Sequence, residues 1–205
     1  MNTGDARAEI MRSIRSHLAL SAPHDGPETR IETDPFKSVF KTDSQSVVEV
    51  FKQNLEAVDG HCIVVSNDAE VEETVKRISQ GRGIGATSAE LSIKNLSIKD
   101  LFKVDVGITY AQAGIAETGT LVLDSSVERN RLVSLVPPVH IAILHASQIF
   151  MTLGETLSAL QGGDEISPAI TFITGPSRTA DIELTLAIGV HGPQELYVIV
   201  RQDQE

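Results

Sequence analysis

The chain holds one cysteine, Cys62, in 205 residues. That excludes an intrachain disulfide, and it excludes the multi-thiolate sets that an iron–sulfur cluster or a Cys-rich metal site takes from one polypeptide. Cys62 lies in the apolar run Cys62-Ile63-Val64-Val65, where a thiol is expected to be structural and inert. Basic residues are also scarce. The formal net charge is −11, and no Lys/Arg-rich patch offsets it, so binding to nucleic-acid phosphate is not expected. Long hydrophobic runs are missing. The N-terminus carries Asp5, Arg7, Glu9, Arg12 and Arg15 where a signal peptide needs an apolar core, and the most apolar stretch, 133–144, is broken by Pro137, Pro138 and His140. No membrane association is expected, and the reading is of a soluble, cytoplasmic chain. The phosphate-binding Gly-Lys-Ser/Thr loop and the dinucleotide Gly-x-Gly-x-x-Gly are absent, and Gly81-Arg82-Gly83-Ile84-Gly85 has glycines only at alternate positions. No zinc-like ligand spacing, internal repeat or low-complexity segment is visible.

What remains is ordinary globular material, 41% hydrophobic and 22% charged, enough for one well-formed domain. Ala6, Ile10, Ile14 and Leu18 recur every fourth residue, with Met11 beside them, and predict an amphipathic helix. This helix can pack on its own domain or on a partner. Residues 21–34 hold Pro23, Gly26 and Pro27 without a period and read as a linker. Residues 1–45 thus form a helix and linker, and 46–205 the domain proper. From Ser46 on, helical stripes (47–58, 71–78, 154–160, 181–188, with a short one at 96–102) alternate with strand runs (61–66, 83–86, 104–110, 119–124, 139–145, 169–174, 196–200). That alternation predicts an α/β fold with a mainly parallel sheet covered on both faces.

Ligands of open parallel sheets sit at the carboxyl ends of strands, and two segments stand out there. In Gly114-Ile115-Ala116-Glu117-Thr118-Gly119-Thr120, Glu117 is a carboxylate among small and apolar residues. It reads either as a base or nucleophile, if burial raises its pKa, or as a cap on a backbone N–H or partner of an arginine. In Thr174-Gly175-Pro176-Ser177-Arg178-Thr179-Ala180-Asp181, a strand enters a glycine turn and then an expected helix start. That geometry offers free N–H groups to an anion, with Ser177, Thr179 and Arg178 adding donors. Asp181 and Glu183 oppose a simple phosphate site. His191, in Gly189-Val190-His191-Gly192-Pro193, sits in a tight turn and reads as a proton-transfer group or as a turn histidine bonded to a carbonyl. Arg129 and Arg131 can meet an anionic substrate, meet Glu117, or face solvent. His140 and His145, five apart in one strand, point to opposite faces and do not share a metal.

Taken in order, Val104-Asp105-Val106-Gly107-Ile108-Thr109, Ile115 to Leu123, Ser134-Leu135-Val136-Pro137 with Val139-His140-Ile141, Thr174 to Glu183, and Gly189 to Pro193 resemble the LUD-domain family, LutC/YkgG-like. The resemblance spans about 104–200. It implies a three-layer α/β/α sandwich like that of the NagB/RpiA/CoA-transferase superfamily, plus the N-terminal helix. It further implies a component of bacterial L-lactate utilisation, the oxidation of lactate to pyruvate, whose iron–sulfur clusters are carried by partner proteins. No intrinsic cofactor is expected in this chain. On that reading Glu117 and His191 are the candidate catalytic residues. Gly119, Thr120, Arg131, Gly175, Ser177, Arg178, Thr179 and Asp181 are the candidate ligand-binding residues, with a small anionic metabolite as ligand. Two functions compete. One is an accessory subunit of a lactate-oxidising assembly. The other is an autonomous acyl- or phosphoryl-handling enzyme in which Glu117 reacts. A Glu117 lining a cleft with the 175–181 loop favours the second.

Overall fold

The computed structural model describes residues 3–20, 46–87, 102–128, 130–160, 169–179, 187–188 and 192–202. The chain divides into two compact units, Met1–Pro35 and Phe36–Glu205. In the first, helix α1 (Thr3–Leu20) carries the expected apolar repeat, and its Ile10, Met11 and Ile14 are exposed.

The second unit is built on β1 (His61–Val65), β2 (Ile84–Thr87), β3 (Val104–Tyr110), β6 (Val139–His145) and β11 (Glu195–Arg201). These form a wholly parallel sheet in the order β1-β11-β6-β3-β2. The alternation of each strand sorts its residues onto two faces. On one face Val65, Ile141, Ile143 and Ile199 pack against Val71, with Val75 and Ile78 beside it, from helix α3 (Asp68–Ser79). That helix starts where Asn67 Oδ1 accepts from the Glu70 N–H at 2.9 Å and Glu70 Oε2 accepts in turn from the Ser66 N–H, a reciprocal cap. On the other face Cys62, Ala142, Leu144, Leu196, Val198 and Val200 bury Phe51 and Leu55 of helix α2 (Val47–Ala57). Both of those side chains are fully enclosed, which is worth about 1.5–3 kcal/mol each.

A second sheet shares that layer. Strands β4 (Ala113–Ile115), β5 (Thr120–Asp124), β7 (Ile149–Phe150) and β8 (Ile170–Thr174) run in the order β7-β4-β5-β8. β5 is antiparallel to both β4 and β8, while β4 and β7 are parallel. The alternation of helices and strands places 119–124 and 169–174 beside the parallel strands, but they pair here instead. The reason is the link: β4 and β5 are joined only by a 3-10 turn at Ala116–Thr118 and Gly119, far short of the dozen or more residues a parallel crossover needs. Leu121 and Leu123 of β5 face α2 and the parallel sheet. Ala113, Ile115 and Val122 face outward to Leu160 of helix α4 (Leu153–Leu160). Gly114 lies tight against the parallel sheet and α2, because a side chain there would press on Leu144 and Phe51.

Of the helix expected at 181–188, residues 181–186 lie outside the described residues, and only its last two residues are corrected. Ala187–Ile188 is strand β10, paired antiparallel with β9 (Arg178–Thr179). At those two residues the pairing with β9, not the apolar pattern, decides the structure. Of the short helix expected at 96–102, residues 96–101 lie outside the described residues, and Phe102 is in a turn.

Candidate functional site

The register Thr120↔Thr174 brings the Glu117 segment and the turn at Gly175 to one end of the second sheet. Gly119 and Gly175 both have positive φ, +63° and +75°. A side chain at either would drive into the C-terminal turn of α2, at Leu55 and Val58 respectively, so both are glycine for backbone and packing reasons. The Asn54 side-chain amide donates to the Ala116 carbonyl at 2.8 Å and ties the same turn to α2. The hydroxyls of Thr118, Thr120 and Thr174 form a chain with 2.7 Å links.

The half-buried Glu117 points the other way. Its Oε1 accepts from the Leu153 N–H at 2.8 Å, while its own N–H donates to the Met151 carbonyl at 3.0 Å. The carboxylate therefore caps the N-terminus of α4, where a negative charge also suits the helix dipole. Of the readings open for Glu117, the cap is the one the geometry displays; among the described residues neither an arginine nor the Gly175 turn meets its carboxylate. The anion geometry expected at 177–179 also changes. The chain enters β9 rather than a helix, the Ser177 N–H donates to the Pro193 carbonyl at 2.8 Å, and Arg178 forms an ion pair with Asp59. Asp181 and His191, and the side chain of Thr179, lie outside the described residues.

Arg131 belongs to a different place. A shallow pocket at the carboxyl end of β3 is lined by Thr109, Asp124, Glu128, Arg131, Ser134 and Thr171. Gly107 makes it possible. It lies opposite His140 in the sheet, and with no side chain it lets the 3-10 turn Arg131–Ser134 rest directly on β3 through the Val133 carbonyl. Glu128 is 4% exposed. Its Oε1 accepts from the Tyr110 N–H at 2.7 Å, and its Oε2 is buried without a hydrogen-bond partner. Asp124 Oδ1 is engaged in the adjoining turn by the Ser126 N–H and hydroxyl, both at 2.7 Å. Arg131 is exposed and forms no salt bridge among the described residues.

Behind the pocket sits His140, fully enclosed, its Nε2 2.8 Å from Thr109 Oγ1. Burial pushes its pKa down to about 4, so the ring is neutral at pH 7. Its Nδ1 has no partner. A buried N–H without an acceptor is rarer than an acceptor without a donor. The proton is therefore assigned to Nε2, which donates to Thr109 Oγ1. Sequence reading singled out Arg131 alone from this group. Glu128 in Ser125-Ser126-Val127-Glu128 looks like any surface turn, and only the fold buries it.

Among the described residues no group of His, Cys, Asp and Glu is arranged to hold a metal ion, and no helix is long and apolar enough to cross a membrane. The model of the LUD domain family matches residues 97–200. Lactate utilization protein C of Bacillus subtilis (strain 168) is 31% identical over 177 residues, 81% of this chain and 73% of that protein. The uncharacterized protein YkgG of Escherichia coli (strain K12) is 34% identical over 147 residues, 69% of this chain and 63% of that protein. The crystal structure of a DUF162 family protein from Deinococcus radiodurans superposes with a TM-score of 0.57 at 23% identity, covering 76% of this chain and 96% of that one. It shares the fold. The family match over the half of the chain that holds both candidate regions, joined by relatives alike over most of its length, makes this chain a member of the LUD domain family, of the LutC/YkgG kind.

Proposed function

We propose that this chain serves L-lactate utilization, the oxidation of lactate to pyruvate. It acts there as a cluster-free accessory subunit that binds a small anionic metabolite and works with partner proteins carrying iron–sulfur clusters. The observation that carries the reading is the 31% identity, across 81% of the chain, to a protein named for lactate utilization. The chemistry of the residues supports the accessory role. Cys62 is the only cysteine, and burial raises its thiol to a pKa of about 11, so no thiolate is on offer to a cluster. Glu117, the residue an autonomous acyl- or phosphoryl-handling enzyme would use, has one oxygen committed to the Leu153 N–H.

The test is genetic. In a strain without another lactate dehydrogenase, deleting the gene is expected to abolish growth on L-lactate and leave growth on pyruvate intact, with the full chain restoring it. Unimpaired growth on L-lactate would overturn the reading.

A further inference from the structure

We propose that the outer edge of β1 pairs with β1 of a second copy of this chain, antiparallel and about a two-fold axis at Ile63, so that the parallel sheet continues through a homodimer. The proposal stands apart from the lactate reading. β1 is the edge strand of the five-stranded sheet, and among the described residues it pairs only with β11. The Val65 carbonyl accepts from the Gln202 N–H at 2.8 Å, on the β11 side. Backbone polar groups alternate in direction along a strand, so those of Cys62 and Val64 point outward, away from β11. An open edge is a template for another strand, and chains that stay monomeric blunt it with a lysine, a proline or a bulge. β1 carries none of these. Its residues 62–65 are Cys-Ile-Val-Val, its register with β11 is unbroken, and Val64 is 37% exposed. Centred on Ile63, the antiparallel pairing sets Cys62 against the partner's Val64, and each gives its N–H to the other's carbonyl. No other centre pairs both outward-pointing residues within the strand. The flanking charges select a second copy as the occupant. α2 turns back into β1 through residues 58–60, so helix and strand run in opposite directions. Burial dominates the Cys62 thiol, but Lys52 and Glu56 of α2 both lie close enough to act on it by charge. Neither forms a salt bridge among the described residues. The two-fold brings Lys52 toward the partner's Glu56, and Glu56 toward the partner's Lys52, opposite charges both times. Such a self-complementary contact closes at two copies and leaves no open β1 edge.

The measurement is sedimentation velocity of the full chain over a wide range of concentration, and a reversible dimer is expected. Val64→Lys places a charge on the edge and is expected to weaken the dimer about tenfold or more. Lys52→Glu is expected to weaken it about threefold, the scale of an exposed ion pair. The double exchange Lys52→Glu with Glu56→Lys is expected to restore it, which a loss of folding does not mimic. Register is read by crosslinking. In Cys62→Ala with Ile63→Cys, the single thiol of each copy stands at the axis, in the pair of closest approach, and mild oxidation is expected to give a disulfide-linked dimer. A monomer at every concentration overturns the proposal. So does a dimer that Val64→Lys leaves unchanged, or one that gives no crosslink at position 63.

Discussion

His140 sits between two sheets with its ring fully enclosed, and its charge state is written into the stability of the protein. Its folded pKa is about 4, against 6.5 for the free side chain, because burial penalises the imidazolium. Above pH 6.5 both folded and unfolded chains carry the neutral ring, and stability does not respond to this group. Between 6.5 and 4 the unfolded chain takes up a proton that the native state refuses, so stability falls as pH falls. Below 4 the native state is protonated as well and the loss levels off. The full effect is about 3 kcal/mol. Glu195 titrates lower: the Arg82 guanidinium, bonded to both its oxygens at 2.8 Å, holds its pKa to about 2, so it costs stability only as pH drops from 4.5. Between 6.5 and 4.5 the contribution of Glu195 stays in place while that of His140 changes. Thermal melts of the wild type across that window are expected to fall more steeply than those of His140→Gln, and equal slopes would show that the ring is not what pH acts on.

At the scale of elements, α4 depends on two carboxylates that precede or open it. Glu117 accepts from the Leu153 N–H, and Glu155 Oε2 accepts from the Met151 and Thr152 N–H groups at 3.0 and 3.3 Å. Glu117→Ala removes one cap and is expected to cost about 1 kcal/mol in denaturant unfolding, with L-lactate binding unaffected. A variant with full stability and lost binding would return Glu117 to a ligand role. This element also marks how far the sequence could be read. Strand runs at 104–110 and 139–145 coincide with β3 and β6, because fully buried parallel strands are long apolar stretches bounded by turns. Glu117 was legible as a special carboxylate and its capping option was visible, but what it caps is Leu153, thirty-six positions on, which no local pattern reports. Strands β4, β7, β9 and β10 have only two or three residues each, too few for a period-2 signal, and the second sheet hides in the sequence for that reason. The pocket was hidden more deeply. Thr109 alternates like any strand residue, and Glu128 sits in a polar turn. They become neighbours only because Gly107 admits the 131–134 turn against β3.

For the whole molecule, the question is whether one chain can carry out the proposed oxidation of lactate by itself. Removing two electrons from a 2-hydroxy acid needs an acceptor, and a protein contributes binding, orientation and electrostatics around it. The sequence holds one cysteine, and that thiol is buried and kept protonated. Neither a dinucleotide fingerprint nor a phosphate-cradling loop is present in the sequence. On the proposed accessory role, the electron carriers belong to partner proteins. The purified chain, checked to be free of bound cofactor, is therefore expected to give no L-lactate-dependent reduction of an artificial dye. Turnover is expected to appear when the iron–sulfur proteins of lactate utilization are added. Dye reduction by the chain alone would mean that it is itself the dehydrogenase and would remove the accessory role.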